Sequence, residues 1–275
     1  MLIFKKQSDL RNWISRQGKV CIGFVPTMGA LHRGHISLIE QSKRECELTV
    51  CSIFVNPTQF NDPADLVKYP RPIGYDIELL QQAGCDALYL PEYTDLYETN
   101  DLLQTDLGGL DTLWEGEQRP GHFLGMVTVV KKLFDAVQPT HVFFGQKDFQ
   151  QCSVIRKMMR NFQMQMSFRM CDIIREDDGL AMSSRNIRLS AEERKTASNI
   201  YKTLSTATIK KETLSPEMLG QWATKELGNA GMVVEYAAIV DTTDLKPATT
   251  WEWPTVLLVA VKLPSVRLID NILLS

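Results

Sequence analysis

Short apolar runs alternate with amphipathic stretches through the first two-thirds of the chain, and this rhythm restricts the fold more than any other feature. Residues 19–25, 48–55, 87–90 and 141–144 are apolar or β-branched runs, closed by Pro26, Asn56-Pro57, Pro91 and Gly145. Each reads as a buried strand. Residues 36–45, 75–83, 123–137 and 149–161 read as helices, and 168–175 is extended. Strand and helix in strict alternation predict a parallel sheet covered by helices. Ligands of such sheets gather at the carboxyl ends of the strands.

The pattern changes after about Ile174. Ser190 with Glu193 three residues later forms a capping box that opens a helix reaching about residue 206. A second helix is expected at 215–228. Three strand candidates follow at 233–240, 255–261 and 266–274. Helices followed by strands predict a smaller α+β domain, so the expected division is 1–176 and 177–275.

Bulk properties exclude several classes of function. The 275 residues carry 30 basic and 33 acidic side chains, a net charge of −3, which argues against a large nucleic-acid footprint. Six cysteines include no C-x-x-C pair, as expected of reduced thiols in a cytoplasmic protein. The first residues, Met-Leu-Ile-Phe-Lys-Lys, lack the long apolar core of a signal peptide. No run approaches the ~18 apolar residues that would span a bilayer.

Four segments hold the side chains suited to chemistry. In Pro26-Thr-Met-Gly-Ala-Leu-His-Arg-Gly-His35, a strand runs into a helix. Free N–H groups and the helix dipole make such a junction suited to phosphate, and His32 and His35 add donors. A helix cap plus a surface histidine is the plainer alternative. A zinc reading needs a third ligand; only His122 and His141 remain among histidines, and no cysteine pair is spaced to help. In Phe54-Val-Asn-Pro-Thr-Gln-Phe60, Asn56 and Gln59 offer neutral donors and acceptors for a small polar substrate, or simply start a turn. In Gly145-Gln-Lys-Asp-Phe-Gln-Gln151, Lys147 presents a point charge, Asp148 is an N-cap or a nucleotide or metal contact, and Gln151 follows one turn later. In Gly179-Leu-Ala-Met-Ser-Ser-Arg-Asn186, two hydroxyls and a guanidinium make either a phosphate clamp or a solvated loop. Arg119-Pro-Gly-His122 offers a further charged contact. The chain has no G-x-x-x-x-G-K-[ST] loop, and no G-x-G-x-x-G after its first strand.

The H-x-G-H element with a later Met-Ser-Ser-Arg loop resembles the paired signature of the nucleotidylyltransferase superfamily. Pro-Thr-Met-Gly-Ala-Leu-His-x-Gly-His, Phe-Val-Asn-Pro-x-Gln-Phe, Arg-Pro-Gly-His-Phe, Val-Phe-Phe-Gly-x-Lys-Asp-x-Gln-Gln and Leu-Ala-Met-Ser-Ser-Arg-Asn together resemble the pantoate–β-alanine ligase family. The likeness runs on to Arg267-Leu-Ile-Asp-Asn271. It implies an α/β fold, with a Rossmann-like parallel-sheet N-terminal domain and a smaller α+β C-terminal domain acting as a lid. It also implies ATP and Mg²⁺, the small-molecule substrates pantoate and β-alanine, and a homodimer. The reaction would pass through pantoyl adenylate.

By that resemblance, the nucleotide would be held by Met28, Gly29, Ala30, Leu31, His32, Arg33, Gly34 and His35. Gly145, Gln146, Lys147, Asp148, Ile174, Met182, Ser183, Ser184 and Arg185 would hold it as well. Gln59, Gln151, Asn56 and Met28 would bind substrate, with the two glutamines on pantoate. His35, His32, Lys147 and Arg185 would carry the catalysis, and no protein metal ligand is assigned. The stretch Arg71-Pro-Ile-Gly-Tyr-Asp76 departs from the usual family wording and is expected to touch only a flank of the pocket. Two further readings remain open at this stage: a nucleotidyltransferase that stops at an adenylylated product, and an RNA-binding relative of tRNA synthetases.

Overall fold

Runs of residues that are apolar on both faces make strands that must be covered on both sides. In the computed structural model, which describes residues 1–60, 63–97 and 102–274, they do so as a parallel sheet. Its strands are β1 (Leu2–Phe4), β2 (Ile22–Thr27), β3 (Leu48–Ile53), β4 (Ala87–Tyr89), β5 (His141–Gly145) and β6 (Ser167–Cys171). They lie in the order β1-β4-β3-β2-β5-β6, and all pairings are parallel. Val25, Cys51 and Leu88 from neighbouring strands pack with Leu38 and Ile39 of the Arg33–Glu45 helix and Leu80 of the Ile73–Gln82 helix. The described residues form two compact units. The first comprises Met1–Gly145 and Val154–Cys171, and the second Gln146–Ser153 and Asp172–Ser275.

The strand order turns back on itself between β2 and β5. From β2 the chain proceeds outward through β3 to β4, and then returns to the other side of β2 as β5. This is the switch point at which open parallel sheets bind ligands. The two strands also part there. Their register runs only through Gly23↔His141 and Phe24↔Val142, while β2 continues to Thr27 beside β3 and β5 to Gly145 beside β6.

That parting explains a departure from the sequence reading, which ended the first strand before Pro26. The strand runs through Pro26, which pairs in register with Ser52 of β3. The backbone of Ile22 faces β5, because its carbonyl accepts from Thr140 N–H; Pro26, four residues on, faces the same side. There the ladder to β5 has already ended, so the missing proline N–H costs no sheet hydrogen bond.

In the second unit, β7 (Val233–Asp241), β8 (Thr255–Lys262) and β9 (Arg267–Leu273) form an antiparallel meander. Leu204, Leu219, Ala223, Leu257, Val259 and Val261 make its core. Ser190 caps its helix as expected, its hydroxyl accepting from Glu193 N–H while the Glu193 carboxylate accepts from Ser190 N–H. The helix is broken once: Ala191–Ala197 and Asn199–Lys210 meet at Ser198. The sequence reading missed β1 and the Gln7–Ser15 helix. β1 is a three-residue edge strand with Leu2 and Ile3 exposed, too short for periodicity to show. No helix among the described residues is long and apolar enough to cross a membrane.

Candidate active site

At the carboxyl end of β2 the chain makes a tight turn and enters the Arg33–Glu45 helix. His32 is the N-cap, with extended backbone (φ −142°, ψ 174°). Its Nδ1 accepts from Gly34 N–H at 3.1 Å, and His35 Nδ1 accepts from His32 N–H at 3.3 Å. Two backbone donors that the helix itself leaves unpaired are thus met by two imidazoles, in the reciprocal manner of a capping box. The rings lie 4.1 Å apart. The cap reading and the phosphate reading of these histidines are therefore compatible. A neutral imidazole whose Nδ1 accepts carries its hydrogen on Nε2. Each ring is fixed in one tautomer, with Nε2–H as its donor, at the positive end of a helix.

The turn before the cap is strained. Gly29 has φ +81° and Ala30 φ +50°, both left-handed. For an alanine this costs about 1–2 kcal/mol. A buried carboxylate from elsewhere in the unit holds the turn: Asp76 accepts from Ala30 N–H at 2.9 Å and from Leu31 N–H at 2.8 Å. Hydrogen bonds to a charged acceptor contribute ~1.5–3 kcal/mol each, enough to outweigh the strain. A Cβ at Gly29 would come within 2.9 Å of the same carboxylate and 3.0 Å of Ile53, so the position demands glycine for space as well as for φ. Burial pushes the Asp76 carboxyl above its ordinary value, and the N–H groups of Leu31 and Ala30 pull it back. Two N–H donors aimed at two oxygens suit the ionised form. Sequence reasoning placed the 71–76 stretch at a pocket flank and missed this role; the only signal was an acid among apolar helix positions.

After β3, Asn56 to Gln59 form a single turn whose polar atoms face one another. Asn56 is fully buried. Its Nδ2 donates to Gly125 O at 3.2 Å and Thr58 Oγ1 at 2.9 Å, and its Oδ1 accepts from Tyr97 OH at 3.0 Å. Gln59 Nε2 lies 2.6 Å from Met28 Sδ, which joins this turn to the one after β2. His122 Nδ1 lies 2.7 Å from Gln59 O, and Arg119 donates to the same carbonyl at 3.4 Å. Gly125 was also missed. A Cβ there would come within 2.2 Å of Thr58 O, so only glycine lets the His122–Val137 helix approach the turn. His141 opens β5 beside Gly23, at the far end of β2 from His32, so it offers no third ligand to the histidine pair.

In the second unit, the turn Gln146–Asp148 is clamped by β9. Asn271 Nδ2 donates to Gln146 O at 2.9 Å and Lys147 O at 3.0 Å, and its Oδ1 accepts from Gln146 Nε2 at 3.1 Å. Lys147 Nζ pairs with Asp148 at 3.1 Å. Gln151 is half-buried in the first turn of the Phe149–Asn161 helix. Ile174 O accepts from Met182 N–H at 3.0 Å, and Arg175 bridges to Ala181, so the Ile174 and Met182–Arg185 segments run side by side. Ser183 Oγ accepts from Arg185 N–H at 3.3 Å. Beneath them, Arg175 makes two hydrogen bonds to buried Asp270, at 2.6 and 3.1 Å, and lies 3.9 Å from the Tyr201 ring centre. Asp270 and Asn271 give the closing Arg267–Asn271 string its structural meaning, which sequence alone left unstated.

The chain is similar to known proteins over its full length. The sequence profile of the family described as Pantoate-beta-alanine ligase matches residues 2–273. A pantothenate synthetase from Porphyromonas gingivalis is 44% identical over 99% of both chains. The crystal structure of pantothenate synthetase from Thermus thermophilus superposes with a TM-score of 0.92 at 39% identity, covering 99% of both chains. Pantoate-beta-alanine ligase from Francisella tularensis, crystallised with Beta-gamma ATP and Beta-alanine, gives 0.82 at 33% identity, covering 99% of this chain and 97% of that one. On the strength of the matched motifs, the shared fold and these full-length similarities, the chain belongs to the pantoate–β-alanine ligase family.

Proposed function

We propose that the chain condenses (R)-pantoate with β-alanine at the expense of ATP, giving pantothenate, AMP and pyrophosphate. The observation that carries this reading is the imidazole pair at the switch point, tied by Nδ1 to the backbone and fixed as Nε2–H donors. The Francisella relative's complex with Beta-gamma ATP and Beta-alanine supports two of the substrates.

In the first step a pantoate carboxylate oxygen attacks the α-phosphorus of ATP. The bond from that phosphorus to the bridging oxygen breaks, and pyrophosphate leaves. Negative charge builds on the equatorial and leaving oxygens. Donors already aimed at those oxygens lower the barrier, and removing one typically costs ~10²–10³ in rate. His32 and His35 are assigned that part, with N–H groups of the 28–35 turn beside them. Lys147 and Arg185 are assigned to phosphate oxygens, with Ser183 and Ser184. Gly145, Gln146, Asp148, Ile174 and Met182 complete the nucleotide contacts. Gln59 and Gln151 are assigned to pantoate, with Met28 shaping the pocket. Asn56 is assigned a positioning role in place of the substrate contact its motif suggests, because its side-chain atoms are bonded within the protein. In the second step the β-alanine amine attacks the acyl carbon, the bond to AMP breaks, and the amine gives up a proton.

Among the described residues, neither Asp76 nor Asp148 offers a free oxygen cage for a cation. Asp76 is occupied by two N–H groups, and Asp148 pairs with Lys147. That donor set fits Mg²⁺ carried on the nucleotide phosphates with its waters, where its charge offsets theirs. A cytoplasmic homodimer completes the proposal, and light scattering should give the mass of two chains. The reaction itself is tested with purified protein, ATP, Mg²⁺ and pantoate. Pyrophosphate exchange should require pantoate, and net AMP release should require β-alanine as well. Exchange that ignores pantoate, or none at all, would overturn the assignment.

A further inference from the structure

The amino ends of β2 and β5 bring three soft donors together. Cys21 immediately precedes β2, Cys46 closes the Arg33–Glu45 helix, and His141 opens β5. The register Gly23↔His141 sets the starts of the two strands side by side. Cys21 Sγ lies 2.7 Å from Cys46 Sγ and 3.3 Å from His141 Nδ1. One donor atom from each of the three residues lies within 4.8 Å of the other two. This cluster has no part in the proposed nucleotide chemistry. The six residues of β2 separate it from the histidine turn, a span of ~20 Å at ~3.3 Å per residue.

We propose that Cys21, Cys46 and His141 form a binding site for a thiophilic divalent cation, Zn²⁺, with solvent as the fourth ligand. Two thiolates and an imidazole are a donor set that zinc takes in a tetrahedral site. Cys46 is buried, whereas Cys21 and His141 are half-buried, so the open position faces water. Zn–S bonds of ~2.3 Å in a tetrahedron set two sulfurs ~3.8 Å apart, so binding needs the pair to open by about 1 Å. Cys21 lies outside the strand ladder, just before β2, and is half-buried. A disulfide would instead draw the sulfurs to ~2.0 Å. It would use only two of the three converging donors, whereas a metal uses all three. The surroundings also suit a dication. The Glu47 carboxylate accepts from Cys21 N–H, and Thr140 Oγ1 lies 3.1 Å from His141 Nδ1 and 3.2 Å from Cys21 Sγ. The Glu47 carboxylate orients Cys21 as outer groups orient metal ligands, and Thr140 gives up its contact with Nδ1 when the ion takes that atom. Glu45 lies at the same edge, paired with Arg169 at 2.7 Å.

The test uses the full chain, stripped with a chelator and kept reduced. Equilibrium dialysis with Zn²⁺ should give one tightly held ion per chain, and Co²⁺ should give a thiolate-to-metal charge-transfer band. Zn²⁺ should also raise the melting temperature. Cys21→Ser and His141→Gln should each weaken binding at least tenfold and weaken the band, and both alter half-buried positions at which folding should survive. Uptake equal in wild type and both variants would overturn the site. So would a reduced chain that takes up no stoichiometric Zn²⁺, including one that instead forms a Cys21–Cys46 disulfide by exchange with a small-molecule disulfide.

Discussion

The two ends of β2 use similar side chains in opposite ways. At the carboxyl end, His32 and His35 stand three residues apart in sequence, and their Nδ1 atoms are spent on backbone N–H groups. Each neutral ring thereby keeps its hydrogen on Nε2, as the proposed anion contact requires. At the amino end, Cys21, Cys46 and His141 come from three separate elements, and their donor atoms converge on one another. That arrangement suits a cation. What each Nδ1 atom contacts distinguishes the two ends: backbone N–H groups for His32 and His35, and Cys21 Sγ and Thr140 Oγ1 for His141.

Substitutions at the two ends can break this contrast. The largest effect is expected at the carboxyl end, where His35→Ala should lower the rate of pantoyl adenylate formation by about 10²-fold or more. Far-ultraviolet circular dichroism should be unchanged, and Zn²⁺ uptake should match wild type. Next is Asp76→Ala, which leaves two buried N–H groups of the strained turn without their acceptor. It should cost about 2–4 kcal/mol in denaturant unfolding. Asp76→Asn should recover part of that loss. If Asp76 acts by positioning the histidine turn, Asp76→Asn should also lower kcat more than it raises the KM for pantoate. Cys21→Ser should weaken Zn²⁺ binding at the amino end at least tenfold while leaving ATP turnover within about twofold of wild type, because the proposed adenylation draws nothing from that end.

The smallest effect lies outside both ends. Arg194 hydrogen bonds hold the Asp178 carboxyl below its ordinary value. A carboxyl lowered in the folded state contributes stability above the unfolded value of ~3.9 and loses it as pH falls through the lower folded value. The pair is partly exposed and open to solvent screening, so Arg194→Gln should cost only about 0.5–1 kcal/mol near neutral pH. The difference from wild type should shrink below about pH 4, as read from urea unfolding at a series of pH values.

Much of the fold was legible because it depends on local signals. Apolar runs closed by proline or glycine marked β3, β4 and β5, and the Ser190–Glu193 box marked a helix start at the right residue. The passage of β2 through Pro26 was not legible, since it depends on where β5 stops pairing. The candidate motifs stood out in the sequence, because His32, His35 and Gln59 lie within a few residues of strand ends, and the resemblance supplied their expected roles. The supports of these motifs did not stand out. Asp76 reaches Ala30 and Leu31 across 46 and 45 residues, Gly125 makes room for Thr58, and Asn271 clamps Gln146 across 125 residues. The sequence analysis assigned no metal ligand and saw no useful cysteine pair, because 25 residues separate Cys21 from Cys46 and 120 separate it from His141. Contacts of this kind are made by tertiary folding and leave no periodicity behind.

The central claim is that the two imidazoles cap the helix through Nδ1 and so present Nε2–H to the nucleotide. Nitrogen-15 NMR of ring-labelled protein, with His32 and His35 assigned by substitution, measures this directly. The neutral rings should both carry hydrogen on Nε2, with Nδ1 unprotonated, and the Nε2 signals should move on ATP binding. Hydrogen on Nδ1 of either neutral ring, or Nε2 signals indifferent to ATP, would contradict the account.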